Sequence, residues 1–459
     1  MSEDPRIAGH ADCLAVAMAD SDSSWLRWLQ WPAWPDLPGG WAALAGAALA
    51  AAAILLIANL SHSEKRIVRR VKRRYGSDDP AFQRTLSVLF GPAVLAGNRV
   101  ESFVNGRSIF PAMLEAIESA QASVDFETFI YWSGAVGDRF AQALIERARA
   151  GVAVHVLLDW VGSQPIAASL VARMEAGGVQ VVRYHPPRWP HLTRLNNRTH
   201  RKLLVVDGRI GFTGGVGIAD DWDGDADLPH RWRDTHYRVT GPAVAQMQAA
   251  FLDNWIKGRG ELLHGERYFP ALEPAGDSPA QVFLSSPSGG AESMHLMVNY
   301  ALGCASRSIR IATAYFVPDE MTIGSLLEAA RRGVPVTVLV PGRRTDSVIA
   351  RRASQYMWGR LLAGGVRIHA YQPCQFHWKV LIVDDWWVSV GSTNFDSRSF
   401  SLNDEANLNV YDASFAQGQI ALFDADLARS RPVTLEGWRR RSRGQRLYEA
   451  ASYAIRSQL

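Results

Sequence analysis

From residue 95 onward, short runs of β-branched and apolar residues alternate with longer stretches of helical spacing, and the alternation occurs twice. RARAGVAVHVLLD, from Arg147 to Asp159, reads as a helix end, a glycine stop and a strand. AARRGVPVTVLVP, from Ala329 to Pro341, repeats that grammar almost residue for residue. AGGVQVVRYHP from Ala176 is matched by AGGVRIHAYQP from Ala363, each a helix stop feeding another strand. Each half then reaches a His-x-Lys strand: HRKLLVVDGRIGFTGG from His200 and HWKVLIVDDWWVSVGS from His377. Matched elements in the same order identify an internal duplication.

Strands alternating with helices predict an α/β fold, with helices packed on a largely parallel or mixed sheet. Two equivalent halves, 95–275 and 276–430, would pack about a pseudo-two-fold axis, so that equivalent residues meet where the halves face one another. Glycine, proline and charge gather in Glu261–Ala280, read as the linker. The tail, 431–459, is basic and then amphipathic; a solvated terminal helix and a membrane-surface helix both fit it.

A different pattern precedes the repeat. After an N-terminal segment, 1–40, residues 41–60 read WAALAGAALAAAAILLIANL without a charge. At 1.5 Å per residue that run covers about 30 Å, the thickness of a bilayer's hydrocarbon core. A basic juxtamembrane segment, 61–94, follows, with Lys65, Arg66, Arg69, Arg70, Lys72, Arg73 and Arg74 close together. Only Arg6 and Arg27 precede the run, so the positive-inside rule places everything after it in the cytoplasm. Trp25, Trp28, Trp31 and Trp34 stand where an aromatic belt at the opposite interface would lie. The expectation is a single transmembrane helix in the cell membrane with the repeated halves on the cytoplasmic side. A buried alanine-rich helix, a signal peptide and an interfacial helix compete with it; the signal peptide fits poorly because the basic block follows the run.

Composition changes this picture little. In 459 residues the apolar share is 47% and the charged share 20%, globular with a lean toward membranes. Net charge is +4, so local clusters matter more than the total. Cys13, Cys304 and Cys374 are too few and too scattered for a disulfide framework or a zinc site. No metal and no cofactor is expected.

The candidate chemistry lies in the repeated strands: His200, Lys202 and Asp207 against His377, Lys379 and Asp384. Residues two apart on a strand share a face, so each histidine and lysine can converge on one ligand. The aspartates, counted with the motif in the catalytic set, fall at odd spacing. They point to the opposite face or sit in the closing turn, which suits structural support. Two imidazoles and two ammonium groups on one surface suit a phosphate anion, the lysines stabilising its non-bridging oxygens. One neutral imidazole can attack phosphorus while the other, protonated, donates to the leaving alkoxide. A single His-x-Lys fits an ordinary surface strand; two copies at identical spacing inside a duplication reverse that preference.

These residues resemble the phospholipase D superfamily, whose signature is H-x-K-x4-D-x6-G-S-x-N. The second motif matches it through Gly391, Ser392 and Asn394; the first continues Gly214, Gly215, Val216, Gly217, with glycine where the family usually carries asparagine. Within the superfamily the chain is most similar to bacterial cardiolipin synthases, in YFVPDE (Tyr315–Glu320), in FTGG followed by Ile-Ala-Asp (to Asp220), and in DxRSxxxNxE (Asp396–Glu405). The resemblance spans roughly 95–430 and implies α/β/α halves. It also implies that a carboxylate downstream of each motif holds that motif's histidine: Glu405 in the second half and Asp234 in the first. Ser392 and Asn394 are supporting residues, and Asp220 is a candidate to fill the place left by Gly217. Asp125, Glu127, Tyr131 and Tyr315 stand near strand ends, where pocket lining and core packing both fit. His185, His191, His230 and His236 lack motif spacing and are read as structural or surface residues.

The resemblance implies a membrane-associated phosphatidyltransferase. His200 would attack a phospholipid phosphodiester, His377 would protonate the leaving alcohol, and a hydroxyl of a lipid such as phosphatidylglycerol would take the phosphatidyl group. The near symmetry of the site permits the two histidines to exchange roles. A phospholipase D-type hydrolase or nuclease is the alternative. Nucleic acid suits the chain less well than lipid, because the basic runs at 65–74 and 439–446 flank the uncharged run or the chain end. A phosphate-binding protein with a damaged site rests on Gly217 alone. Oligomeric state is not legible in the sequence.

Overall fold

A computed structural model describes residues 40–60, 75–186, 197–286 and 292–458. The segment 1–39 with Cys13, the basic block at 61–74 and His191 lie outside the described residues. The chain divides into two compact units, 1–58 and 59–459. Of the first, one helix is described, Gly40–Leu60, built from alanine and leucine, the best helix formers. Its described side chains, 44–54, are exposed. Among the described residues no helix is long and apolar enough to cross a membrane, and 44–54 falls short of that length.

The second unit holds the duplication. Its first half contributes strands β1 (Leu95–Val104), β2 (Ser123–Thr128), β3 (Ala153–Asp159), β4 (Gln180–Tyr184), β5 (Arg198–Thr199), β6 (Lys202–Val206), β7 (Ile210–Gly214), β8 (Trp232–Arg233) and β9 (Thr235–Thr240). The second half contributes β10 (Ser278–Ser285), β11 (Ile309–Ala312), β12 (Phe316–Val317), β13 (Val336–Pro341), β14 (Arg367–Tyr371), β15 (Gln375–Phe376), β16 (Val380–Val383), β17 (Trp387–Gly391), β18 (Phe395–Asp396), β19 (Asn403–Tyr411) and β20 (Ser430–Val433).

In the first half the order runs β1-β9-β7-β6-β2-β3-β4, antiparallel as far as β2 and parallel from β2 to β4. In the second half β10-β19-β17-β16-β11-β13-β14 has the same directions, with β20 added at the edge. The equivalent strands β1 and β10 pair antiparallel with each other, so one mixed sheet runs through both halves. The fold is mixed α/β with duplicated halves.

Both faces of each sheet are covered, which is why its central strands read as continuous apolar runs rather than alternating ones. Leu204 and Val206 pack with Phe126, Phe140 and Leu144 under the helix Ala135–Arg149. Leu203 and Val205 face a core common to both halves, with Val380, Ile382 and Val388.

Three boundaries differ from those read in the sequence. Residues 75–90, grouped with the basic segment, fold onto the second half: Phe82 and Leu86 join its core, and Tyr75 and Tyr300 share a hydroxyl hydrogen bond of 2.7 Å. The linker ends earlier, since β10 begins at Ser278. The stretch set apart as a tail contributes most of β20 to the sheet edge and a helix, Arg443–Ala454, that stacks Tyr453 on Tyr356 of the helix Val348–Ala363 at 4.6 Å. Apolar contacts too dispersed to show as a periodic pattern hold these pieces.

Candidate active site

Each His-x-Lys motif sits where the chain exchanges one sheet partner for another. β5 pairs in parallel with the start of β19, Arg198 with Asn403 and Thr199 with Asp404, and the His200 amide then donates to the Asp404 carbonyl at 2.8 Å. In the other half β15 pairs with β8, Gln375 with Trp232 and Phe376 with Arg233, and the His377 amide donates to the Arg233 carbonyl at 2.9 Å. The histidines therefore stand in breaks before β6 and β16. They do not share an unbroken strand with the lysines, because at that point the backbone turns from one half's sheet to the other's.

This register carries the next residues, Glu405 and Asp234, against the histidines. Both carboxylate oxygens of Glu405 lie 3.0 Å from His200 Nδ1, and Asp234 Oδ2 lies 2.7 Å from His377 Nδ1. The pairing within each half that the resemblance implies is thus corrected: the carboxylates are exchanged between halves. The cause is the cross-half pairing of β5 with β19 and of β8 with β15.

A carboxylate on Nδ1 fixes the tautomer and leaves the Nε2 lone pair available for reaction. The Phe129 ring lies 5.2 Å from the His200 ring; Trp222 and Trp232 lie 5.4 and 5.0 Å from that of His377.

Lys202 Nζ donates to the His200 carbonyl at 2.7 Å and Lys379 Nζ to the His377 carbonyl at 2.5 Å. All four side chains are buried. Burial takes Lys202 down to about 7, with Glu405 opposing and the Lys379 ammonium pressing it lower. Lys379 falls to about 8, burial again leading and Asp234 opposing. Burial brings His200 to about 4 against the pull of Glu405, and brings His377 to about 4 with Lys379 adding to the fall and Asp234 resisting. Burial resists the charge on Glu405, yet His200, Lys202 and Ser392 hold that carboxyl at about 2. Asp234 is also held below its ordinary range, burial opposing and His377 prevailing. Lys379 acts on His200, and Glu405 acts on Lys379. Residues from both motifs thus form one electrostatic group.

Asp207 and Asp384, counted in the catalytic set, lie in the turns that close β6 and β16, with φ of 53° and 55°. Asp207 accepts from the amides of Ala122, Ser123 and Gln121 at 2.7, 2.9 and 2.9 Å. Asp384 does the same for Ser306, Arg307 and Ser308 at 2.6, 2.6 and 2.9 Å. Each pins the chain entering β2 or β11, away from the histidines. Their place is structural.

Ser392 lies between Glu405 and the β19 backbone, its Oγ accepting from the Ala406 amide at 3.0 Å. Asn394 is buried, its amide donating to Ser399 Oγ at 3.2 Å. The first half solves the same problem differently. A Cβ on Gly217 would meet Ile130 Cβ at 2.8 Å and the Trp222 ring at 3.2 Å. Trp222 Nε1 donates to Asp234 at 3.0 Å, the service Ser392 renders Glu405. Gly217 and Trp222 are a matched small and large pair where the second half has Asn394 and Ser399. Asp220 does not fill the gap; its carboxylate caps the helix Ala135–Arg149 through Ala135 N and Val136 N.

Tyr131 is a core residue, its hydroxyl donating to the Gly137 carbonyl at 2.9 Å. Its counterpart is Phe316, since Tyr131 bridges Ile218 as Phe316 pairs with Phe395. Tyr315, one register step away, is half-buried and its hydroxyl donates to Asp346, whose charge reaches His377. Asp125 pairs with His155 at 2.7 Å. Glu127 accepts from Thr199 and from Asn254. Both lie in the sheet interior. His185 binds the Asn197 carbonyl, His230 is exposed, and His236 is buried.

Trp222, Trp232, Phe129 and Asp346 were not singled out from the sequence. Laying FTGGVGIADDW over SVGSTNFDSRS would have exposed the exchange of Asn394 for Gly217 and of Ser399 for Trp222. Among the described residues no group of three or more His, Cys, Asp or Glu could hold a metal ion.

The family described as "Cardiolipin synthase, PLD-like domain" matches residues 113–225 and 299–427, which take in both His-x-Lys motifs and Glu405. Cardiolipin synthase A of Pseudomonas putida (strain GB-1) is 35% identical over 372 residues, 81% of this chain and 77% of its own. The chain belongs to the cardiolipin synthase family. Another member, cardiolipin synthase 1 of Bacillus anthracis, is 34% identical over 356 residues, 75% of this chain and 70% of its own. Asp234 lies beyond the first matched segment of the cardiolipin synthase family, although it faces His377 as Glu405 faces His200. The fold extends further than the family. The crystal structure of phosphatidylserine synthase from Haemophilus influenzae Rd KW20 aligns over 82% of this chain and 99% of its own, with a TM-score of 0.65 at 12% identity.

Proposed function

We propose that this chain moves a phosphatidyl group between phospholipid head-group alcohols through a phosphohistidine, with phosphatidylglycerol or a related lipid as donor and acceptor. One observation carries the reading: two imidazoles, each oriented by a carboxylate from the opposite half, share an electrostatic group with two buried lysines. His200 Nε2 attacks phosphorus, and the bond to the departing alcohol oxygen breaks. His377 Nε2 gives that oxygen its proton. An acceptor hydroxyl then yields its proton to His377 and attacks phosphorus as the P–N bond breaks.

At about 4 both imidazoles are neutral at pH 7, which suits the nucleophile. A phosphodiester anion seated against the lysines favours the charged form of every cationic group around it, restoring the proton that His377 donates. The same anion holds Lys202, at about 7, in its ammonium form beside the already charged Lys379, and the two stabilise the non-bridging oxygens.

The uncharged run 41–60 and the basic block after it support a single membrane anchor with the catalytic unit on the cytoplasmic side. The halves 95–275 and 276–430 then act as one catalytic unit. The test is mass spectrometry of the products from a defined lipid mixture. His200→Ala and His377→Ala should each abolish transfer; substantial product from either variant defeats the shared site.

A further inference from the structure

The helix Arg443–Ala454 packs Tyr453 inward yet leaves a stripe of apolar residues facing outward. Its inward side buries Glu449, paired with Arg441 at 3.3 Å, and Ser452. Its outward side carries Leu447, Tyr448 and Ala451, and Ile455 follows at the same spacing. Leu447 is 74% exposed. Water disfavours such an arrangement, and a surface helix ordinarily turns that stripe inward.

The stripe continues onto the neighbouring helix Val348–Ala363. Arg352 lies 5.6 Å over the Tyr448 ring, Tyr356 stacks on Tyr453, and Val348, Ile349 and Tyr356 are exposed. That helix starts one residue after Ser347, beside Asp346, which binds Tyr315 and also Gln375 of β15, two residues before His377. The apolar face thus begins at the rim of the site.

Charge selects the occupant. Arg439, Arg443 and Arg446 are exposed and have no acidic partner within salt-bridge range among the described residues. Apolar residues rimmed by unpaired arginines match the acyl and phosphate layers of an anionic bilayer. A second copy would bring the same arginines against one another.

We infer that the paired helices Val348–Ala363 and Arg443–Ala454 form a docking face for an anionic phospholipid surface, seating the mouth of the site against the membrane. The inference rests on the phospholipid reading of the site, but its test needs no turnover. Cysteines would be placed singly at Leu447, Tyr356 and, as a control, the exposed Lys257, in the full chain carrying Cys13→Ser; Cys304 and Cys374 are buried. Each would carry a bimane and be reconstituted in phosphatidylglycerol vesicles with brominated acyl chains.

Labels at 447 and 356 should be quenched at least ~3-fold more than the label at 257, and less when phosphatidylcholine replaces phosphatidylglycerol. Arg443→Glu with Arg446→Glu should weaken the quenching at 447 and leave its lipid dependence flat. Equal quenching at all three positions overturns the proposal, as does shielding of 447 by protein concentration without lipid, which would mark a second copy. In the His377→Ala variant the quenching should persist, so loss of transfer with docking intact, or docking absent with transfer intact, separates the two readings.

Discussion

Glu405→Gln and Asp234→Asn, made separately, test the exchange of carboxylates between halves. Each keeps the shape of the side chain and removes its charge. Burial works against the charge on Glu405, yet contacts led by His200 hold its carboxyl at about 2 rather than 4.5. That difference is a net preference for the carboxylate on the order of 3 kcal/mol, shared among His200, Lys202 and Ser392, which sets an upper bound of roughly a hundredfold in rate for the part felt at His200 in the transition state. The assay compares two phosphatidyl donors, phosphatidylglycerol and a phosphatidyl ester of p-nitrophenol, whose phenolate departs without a proton. Glu405→Gln should slow the first step by up to about a hundredfold with both donors, because it disables the attacking His200. Asp234→Asn should slow it comparably with phosphatidylglycerol and far less with the activated ester, because His377 is then not needed as an acid. The reverse pattern would refute the assignment of roles. An equal dependence on leaving group in both variants would refute the idea that each carboxylate serves one histidine.

Three further outcomes follow from the geometry. Asp207→Ala or Asp384→Ala strips three backbone amides of their acceptor in a turn at positive φ, and each should lower stability by about 2–4 kcal/mol in thermal unfolding without altering the leaving-group dependence. Gly217→Asn, which gives the first half the residue that the second carries as Asn394, should lower activity and cost about 1–3 kcal/mol, because the new Cβ lands 2.8 Å from Ile130 and displaces Trp222 from Asp234; pairing it with Ile130→Ala should recover part of the loss. Glu127 is pushed up to about 7, first by burial, so the folded chain holds its proton more tightly than the unfolded chain does. Its stabilising effect is complete below pH 4.5 and is lost as pH rises to about 7; Glu127→Gln should therefore raise thermal stability at pH 8 relative to wild type more than at pH 5, and an equal change at both would contradict this.

The duplication was legible because it is written in local grammar: glycine stops, β-branched runs and the His-x-Lys spacing repeat in order. The halves and their motifs followed from it. The exchange of Glu405 and Asp234 was not legible, because it depends on β5 and β8, strands of two residues each that pair across the halves. No periodicity marks so short a strand. The parity that separated Asp207 from Lys202 survived, since β6 is regular beyond its first residue. The assumption that His200 belongs to the same strand failed at the break before it. Tyr131 is left open by the sequence because an aromatic next to a strand end fits a pocket and a core equally well, and the bridge to Ile218 decides for the core.

The crossing of the carboxylates has a consequence for biogenesis. His200 and the Glu405 that orients it are 205 positions apart, so a ribosome releases the first motif long before its partner exists. Until the second half emerges and its strand slots beside Thr199, the nascent chain holds an imidazole and a lysine with nothing to aim them. The paired imidazoles are thereby completed only after the second half has been made and both short cross-half pairings have closed.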